Sequence, residues 1–570
     1  MKSKDAKETK DAIRQRLEQM NSSSLRKCVL EIVNQLTEEQ QEMAVGVLQN
    51  FSETNINNDG IHYKPRMSEE LALRRVSEIL LDLEKIANQE VYLEANGYEV
   101  YGHHRWDREW EWEYYDSMGC GEILEEALNF ARECINDRKY QEASDILNKI
   151  LTIRVWVNNE WDEMGLDLEE FVREGIVKAE LKEIALMILY SCYQASEKVE
   201  RAKKIFSLFG NTVFHDIQMV EVRNIGRERL KDEEVFWEDW IALLLNEDGT
   251  LVARLLKEAI LFTKGVDGLA VIAKENYAKH PSLFLDAISE YKFNHEYKKM
   301  ADLGEEAVKL IDKKYVVRSE IALKTAYAKE ILGEEREVER LWNEAYLSNS
   351  NERNYLRLFA REDLAKEYGL KASKQLLKTE RGNKFSRSLV CGLEENILYT
   401  DTETINNMKF LQGSFAEVKE NCINPEGSLG WSGRYIGTGI RLFLLHLYNK
   451  DELGKATKSV SKGIAFSFGF DDEETFWAEF NVWKKYFPMT QTEKDDYVSW
   501  LEDIIDQRVR AIVGGGFTRH YKSVAELVIA LGEVKVALGE VHGKIILKAK
   551  YNEIFPRHRK FKEAMRDFYE

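Results

Sequence analysis

The sequence predicts an all-α protein built from helix–turn–helix repeats and completed by a helical C-terminal domain. Only five prolines occur in 570 residues, with none between Pro65 and Pro281 or between Pro281 and Pro425. Proline interrupts helices because it lacks an amide hydrogen and clashes with the preceding turn. The proline-free stretches are rich in Glu, Lys, Leu, Ala and Arg, which lose little side-chain freedom in a helix. Their apolar residues also recur at helical spacing.

The first 96 residues form a predicted N-terminal helical region. The stretch LRKCVLEIVNQL places Leu25, Val29, Ile32 and Leu36 on one helical face, and a second helix follows it. A polar loop at 52–65 ends this pair because it is rich in Asn and Asp. Another amphipathic helix is predicted from about Ser68 to Ala95.

The segment GYEVYGHHRWDREWEWEYYDSMGCGE at 97–122 permits two interpretations. Three glutamates alternate with three aromatic residues, namely Glu109, Glu111 and Glu113 with Trp110, Trp112 and Tyr114. This period of two is typical of a strand. A helix with aromatic residues on all sides fits the segment equally well, so both interpretations stay open.

Residues 97–380 are predicted to form the repeat array. In the stretch 121–151, two helices are separated by a short turn at Asp137 and Arg138. Small residues lie mid-helix in these units, where two helices approach closely. Two of them, Ala307 and Ala345, lie 38 residues apart, within the range of helical repeats. These units resemble degenerate tetratricopeptide repeats, and the resemblance implies a solenoid.

A C-terminal helical domain is predicted for residues 381–570, where the composition changes. The glycines at 514–516 fit a helix stop better than a phosphate loop, because no Lys-Ser/Thr pair follows them. After Pro556 a last helix should begin near Arg557, with Phe561, Ala564 and Phe568 on one face. We expect that face to dock on the helix around 525–534 and to close the array.

The composition favours a soluble cytoplasmic protein. The net charge of −19 argues against a general nucleic-acid binder, since phosphate would be repelled. The six cysteines form no C-x-x-C pair, so neither a disulfide framework nor a zinc site is indicated. No run of about 18 apolar residues indicates a membrane span, and the first residues do not resemble a secretory signal.

A dense group of potential metal ligands lies between His103 and Asp116. It contains adjacent histidines, which point in different directions on a helix or a strand and make poor co-ligands. The group matches no known ligand spacing. We therefore predict no metal and no cofactor, and interpret the segment as a surface carrying aromatic residues. Its members are His103, His104, Asp107, Glu109, Glu111, Glu113 and Asp116.

Four stretches carry a resemblance to a known family. They are YYDSMGCGEILEEAL (114–128), LGW followed by a serine and a glycine (429–433), IVGGGFTRHYKSVAELVIALGEV (512–534) and YNEIFPRHRKFKEAMRDF (551–568). Their order resembles the helical region of bacterial proteins that carry a SWIM-type zinc finger. The resemblance covers about residues 60–570 and implies a helical scaffold. The finger itself needs C-x-C and C-x-H pairs, and this chain has neither, so its zinc does not carry over.

The sequence is interpreted as a scaffold or adaptor without catalysis of its own, whose partner is another protein or peptide. Tryptophan is frequent at binding hot spots, so Trp106, Trp110 and Trp112 are candidate binding residues. The basic residues Arg557, Arg559 and Lys560 are the second candidate set. Two alternatives stay open: an enzyme subunit or effector with a cryptic site near 103–116, and a nucleic-acid-associated factor that uses the basic tail.

Overall fold

The structure, a computed structural model, describes residues 68–101, 108–158, 164–376, 402–423, 427–431 and 434–569. Contacts between Cα atoms divide the chain into two compact units, Met1–Leu71 and Ala72–Glu570. The elements named below belong to the second unit, apart from the first residues of α1. The two helices predicted before the loop at 52–65 lie outside the described residues.

Helices dominate the first half of the described chain, which also holds all four described strands. The helices are α1 (Glu69–Ala87), α2 (Cys120–Asn136), α3 (Tyr140–Thr152), α4 (Leu168–Arg173), α5 (Leu181–Ala195), α6 (Lys198–Leu208), α7 (Glu233–Leu244), α8 (Thr250–Glu275), α9 (Ser282–Phe293), α10 (Tyr297–Leu310), α11 (Val316–Ile331) and α12 (Glu335–Ser348). The strands are β1 (Leu93–Tyr101), β2 (Arg108–Tyr115), β3 (Val155–Asn158) and β4 (Met164–Leu166), and 3-10 turns lie at Thr212–Phe214 and Met219–Asn224.

In the second half, the described ranges contain helices joined by turns and loops, with no strand among them. Its helices are α13 (Glu352–Arg357), α14 (Glu362–Leu364), α15 (Leu370–Leu376), α16 (Thr402–Leu411), α17 (Phe415–Asn421), α18 (Ile436–Leu447), α19 (Lys455–Ser467), α20 (Glu473–Tyr486), α21 (Gln491–Gly514), α22 (Tyr521–Ala537), α23 (Gly543–Ile554) and α24 (Arg559–Tyr569). A π-helical turn, Ala365–Gly369, joins α14 to α15, and a 3-10 turn, Thr518–His520, precedes α22. The predicted all-α class is therefore confirmed.

The four described strands form one small mixed sheet in the order β2-β1-β3-β4. The strands β1 and β2 make an antiparallel hairpin, which confirms the strand interpretation of the segment after residue 97. Strand β3 pairs parallel to β1 and antiparallel to β4. The helix predicted from Ser68 to Ala95 ends earlier, at Ala87, because Gln89 takes a left-handed conformation (φ 64°) and the chain then enters β1.

Several helical hairpins share one turn geometry. A residue with positive φ is followed by a residue near φ −90° and ψ 60°, as at Arg138–Lys139, His295–Glu296 and Gly333–Glu334. In each turn the amide of the second residue bonds a carbonyl oxygen five positions earlier, at 2.8–2.9 Å. This bond satisfies a carbonyl that the ending helix leaves free. The recurrence indicates structurally related hairpins.

Small residues lie where neighbouring helices approach closely. Ala143, Ala307 and Ala345 are fully buried, as their spacing predicts. One close approach is at Gly304 of α10, where an added Cβ atom would lie 1.8 Å from Oγ1 of Thr325 on α11. Glycine at this position therefore sets the distance between two consecutive helices of the stack.

The last helices of the chain are arranged around α22, which contacts α18, α19, α21, α23 and α24. Residues on every side of α22 are buried, as expected for a helix at the centre of a helical domain. The last helix, α24, packs against α22 through Phe561, Ala564 and Phe568, which are almost completely buried. This confirms the predicted docking of the tail.

The glycines at 514–516 form the predicted helix stop: α21 ends at Gly514, and Gly516 is left-handed (φ 76°). Residue 96, the predicted end of the N-terminal region, lies within β1, and residue 380 lies outside the described residues. The predicted division into domains therefore stays a prediction. None of the helices in the described ranges is long and apolar enough to cross a membrane.

Candidate functional site

The β1–β2 hairpin has two chemically different faces, which the strand register defines. Residues of even number on β1 pair with residues of odd number on β2. Because side chains alternate along a strand, each face collects every second residue. We call the first face the outer face. It consists of Glu94, Asn96 and Tyr98 of β1 and of Glu111, Glu113 and Tyr115 of β2.

All six side chains of the outer face are exposed, including 50% of Tyr98 and 41% of Tyr115. The tyrosine hydroxyls are tied to carboxylates: Tyr98 donates to Glu111 at 3.2 Å, and Tyr115 donates to Glu113 at 2.5 Å. These carboxylates raise the pKa of both phenols, mainly through the hydrogen bonds, because they disfavour a second negative charge. The outer face is thus an acidic surface with two exposed aromatic rings.

The opposite face of the hairpin is half-buried. It carries Trp112 and Tyr114, both of which are partly covered. Burial raises the pKa of Tyr114, and the nearby carboxylates of Glu174 and Glu170 raise it further. This face therefore lies toward α4 and the turn that follows it.

Of the three tryptophans chosen from the sequence, the structure describes the side chain of Trp112 alone. Trp112 is on the half-buried face, and Trp110 belongs to the same strand. Trp106 lies outside the described residues. Among the hairpin side chains that the structure describes, the exposed aromatic residues are Tyr98 and Tyr115, which the sequence reasoning missed. The period-two pattern could have found Tyr115, since it has the same parity as Glu111 and Glu113.

Asp116, one of the potential metal ligands, has a structural role at the start of α2. Its two carboxylate oxygens accept hydrogen bonds from the amides of Cys120 and Gly121, each at 2.7 Å. Gly121 is required there, because a Cβ atom would lie 2.4 Å from the carbonyl oxygen of Ile176. His103, His104 and Asp107 lie outside the described residues. Within the ranges described, no three His, Cys, Asp or Glu side chains are grouped to hold a metal ion.

The basic candidate residues lie at the start of the last helix. Arg557 is in the turn before α24, Arg559 and Lys560 are in its first turn, and all three are exposed. Arg559 forms an ion pair with Glu563 at 2.8 Å, whereas Arg557 and Lys560 have no ion-pair partner among the described residues. In the preceding helix, α23, Lys550 forms an ion pair with Asp506 at 2.9 Å. The tail therefore neutralises part of the acidic surface of the protein itself.

Two basic side chains near the C-terminal ends of α18 and α20 have strongly shifted pKa values and hydrogen-bond with backbone carbonyl oxygens there. The ammonium group of Lys484 donates to the carbonyl oxygen of Tyr448 at 2.8 Å, and burial lowers its pKa to about 7. Burial lowers the pKa of His446 to about 3, and its Nε2 lies 2.9 Å from the carbonyl oxygen of Phe487. A lysine with a pKa near neutrality can act as a nucleophile. In this structure the ammonium group of Lys484 instead donates to carbonyl oxygens at the C-terminal end of α18.

Comparisons with known proteins leave the family open. No family model matches the chain, and no curated protein matches it. Among solved structures, it is similar to a circular tandem repeat protein with novel repeat topology and enhanced subunit contact surfaces. The identity is 10%, and the match covers 87% of this chain and 93% of that chain. Its TM-score is 0.16, so this similarity carries no argument about fold or function.

Proposed function

We propose that the protein is a bacterial helical-repeat scaffold that binds another protein and has no catalytic activity of its own. Stacked helical hairpins expose an extended surface, because each pair buries its apolar face only against its neighbours. The recurring turn geometry at Arg138, His295 and Gly333 supports such a stack. The resemblance to tetratricopeptide repeats and to the helical region of SWIM-associated proteins agrees with this role.

The main support for the proposal is the outer face of the hairpin. Tyrosine is enriched in protein interfaces because a rigid ring contributes contact area at a low cost in conformational entropy. Tyr98 and Tyr115 are large, exposed and held in place by Glu111 and Glu113. We therefore propose the outer face as the main docking surface.

An intracellular location is part of the proposal. Cys120, Cys134 and Cys422 are free and buried, and burial raises the pKa of each thiol to about 12. Such thiols are unreactive and fit a reducing compartment.

The proposal can be tested by comparing the wild type with a Tyr98→Ala/Tyr115→Ala variant in affinity purification from the native host. We expect one protein to co-purify with the wild type in near-stoichiometric amount and to be lost from the variant. Binding should then be reconstituted with the two purified proteins. A variant in which exposed Phe293 is changed to alanine is the control, because that residue lies at the end of α9. If neither form retains a stoichiometric partner, the scaffold proposal is wrong.

A further inference from the structure

We infer that the side of α23 that faces away from α22 binds an amphipathic helix of another protein, in which Asp or Glu residues flank the apolar stripe. This surface is separate from the β1–β2 hairpin, so the inference goes beyond the proposed function. It follows from an exposed apolar stripe on α23, a basic stripe beside it, and the contacts with α24 that place the two stripes side by side.

An apolar stripe runs along α23 and the turn that precedes it. Its large side chains are mostly exposed: 76% of Val541, 52% of Ile545 and 58% of Ile546. We call the α23 face the set Val541, Ile545, Ile546 and Ala549, all of which are exposed. Steps of four residues place three of them in one row, whereas Leu547 and Tyr551 are buried on the side that packs against α22. A contiguous apolar stripe that no described element covers indicates a docking surface.

A basic stripe lies beside the α23 face. Nζ of Lys548 is 3.8 Å from the centre of the Tyr569 ring, and Nζ of Lys544 donates to the carbonyl oxygen of Tyr569 at 2.8 Å. The end of α24 therefore lies against this side of α23. Lys562 and Arg566 share one side of α24 with Tyr569, because they precede it at helical spacing. Their side chains therefore border the α23 face.

The charge of the basic stripe is not neutralised within the described part of the chain. Lys548, Lys562 and Arg566 form no ion pair there, although other basic residues of the two helices do. Residues 543–569 contain eight Lys or Arg against three Asp or Glu, in a chain with a net charge of −19. A partner with carboxylates beside its apolar side chains is therefore complementary. Two copies joined symmetrically through this face would instead bring like charges together.

The size and composition of the α23 face favour a helical partner. The stripe from Val541 to Ala549 is about 12 Å long, which corresponds to two or three turns of a bound helix. Helices that insert into a membrane surface usually carry Trp, Phe or Leu on the apolar side, and the α23 face has none of these. Nucleic acid would contact the basic stripe but would leave the isoleucines exposed. The net charge also repels anionic lipids and phosphate.

The test uses the full-length protein and synthetic peptides as probes. The first peptide carries leucines at helical spacing with glutamates along one flank. A scrambled isomer has the same composition without that spacing, and a third peptide has lysine in place of each glutamate. Fluorescence anisotropy should show tight binding of the first peptide alone, with an affinity that falls as salt is added.

Two variants separate the apolar contribution from the ionic one. Ile545→Gln/Ile546→Gln should bind the first peptide about tenfold more weakly, because two side chains lose their apolar contact area. Lys562→Gln/Arg566→Gln should bind it about fivefold more weakly and lose most of the salt dependence, since two exposed ion pairs are removed. Both variants should keep the wild-type circular dichroism spectrum, which shows that the loss of binding is not a loss of folding.

A matched control variant, Lys455→Gln/Lys462→Gln, removes the same charge from exposed positions on α19 and should leave the affinity unchanged. Equal binding of the scrambled isomer, or equal weakening in the control variant, would overturn the inference. Binding of duplex DNA or of phosphatidylserine vesicles in place of the acidic peptide would overturn it as well. The Tyr98→Ala/Tyr115→Ala variant should bind the peptide as the wild type does, so a failure of this surface is distinguishable from a failure of the hairpin surface.

Discussion

Glu533 of α22 accepts hydrogen bonds from both the amide and the hydroxyl of Thr457, at 2.8 and 2.9 Å. Thr457 lies in the first turn of α19, where the free amides of the helix favour a negative charge. The same carboxylate lies 3.4 Å from Nζ of Lys544 on α23. One buried side chain therefore joins three helices. Gly454 allows this approach, because a Cβ atom there would lie 2.3 Å from the Glu533 carboxyl carbon.

Changing Glu533→Gln should lower the free energy of unfolding by about 1–3 kcal/mol. The amide retains the shape of the carboxylate, but it lacks the charge and points a donor toward the donors of Thr457. Chemical denaturation followed by circular dichroism measures the change. Glu540→Gln is the control, since the Glu540 side chain is 54% exposed and its partner Lys535 keeps a second ion pair with Glu502, so its loss should contribute little. Equal effects of the two substitutions would contradict the role of Glu533 as a helix cap.

The last helix should stabilise the C-terminal domain through its apolar face. Phe561 is fully buried and lies 5.8 Å from the ring of Tyr521 on α22. We expect Phe561→Ala to cost about 3–5 kcal/mol, the usual range for a buried phenylalanine. Deletion of 556–570 should lower the melting temperature and the solubility. Reversing the charge of exposed Lys560 should alter neither, and if the deletion removed partner binding without a loss of stability, α24 would be the functional element.

The approach of α10 to α11 should depend on Gly304. In Gly304→Ala, the new methyl group collides with Thr325, so the helices must separate and the protein should be destabilised by about 1–3 kcal/mol. The double variant Gly304→Ala/Thr325→Ala should recover part of this loss. Gly463→Ala is the matched control, because that helical position is open; it should stabilise the protein by about 0.5–1 kcal/mol. A double variant as unstable as the single one would contradict the proposed clash.

Glu479 should make stability depend on pH below neutrality. Burial raises its pKa to about 7 from 4.5, although the charges of Arg357 and Arg353 oppose the shift. Between these two pH values, the folded protein retains a proton that the unfolded chain releases. The free energy of unfolding should therefore fall by about 2–3 kcal/mol as pH rises from 4.5 to 7.

The Glu479→Gln variant should lose this part of the pH dependence, as measured by denaturation at several pH values. Glu474→Gln removes an exposed carboxylate from the same helix and should keep the wild-type profile. A wild-type profile that rises over this interval and is unchanged in Glu479→Gln would show that the carboxyl group titrates normally.

Local patterns were sufficient to predict the helical elements. Phe561, Ala564 and Phe568 lie close together in the sequence, so their helical spacing alone predicts that they share one apolar face. The turn at Arg138 is likewise predicted from a few neighbouring residues. The left-handed turn at Gln89 has no glycine to mark it, so the end of α1 was placed too late. Strands β3 and β4 are short, and β3 pairs with β1, which is distant in the sequence, so local patterns do not reveal them.

The candidate surface depended on information that no local pattern contains. The alternation in β2 separates Trp112 from Glu111, but the side that faces solvent is decided by α4. The place of Tyr98 beside Glu111 follows from the register of β1 against β2. Asp116 was grouped with the potential metal ligands because the sequence does not show that its carboxylate accepts hydrogen bonds from the amides of Cys120 and Gly121.

The parallel pairing of β1 with β3 has a consequence for the order of folding. Leu93 pairs with Val157, and the hairpin partner β2 and the helices α2 and α3 all lie between them in sequence. Closing so long a loop costs conformational entropy that contacts within α2 and α3 do not incur. The two helices should therefore form first and bring β3 to β1. The outer face of the hairpin would then reach its final position late, and a kinetic intermediate would have native helices without a competent docking surface.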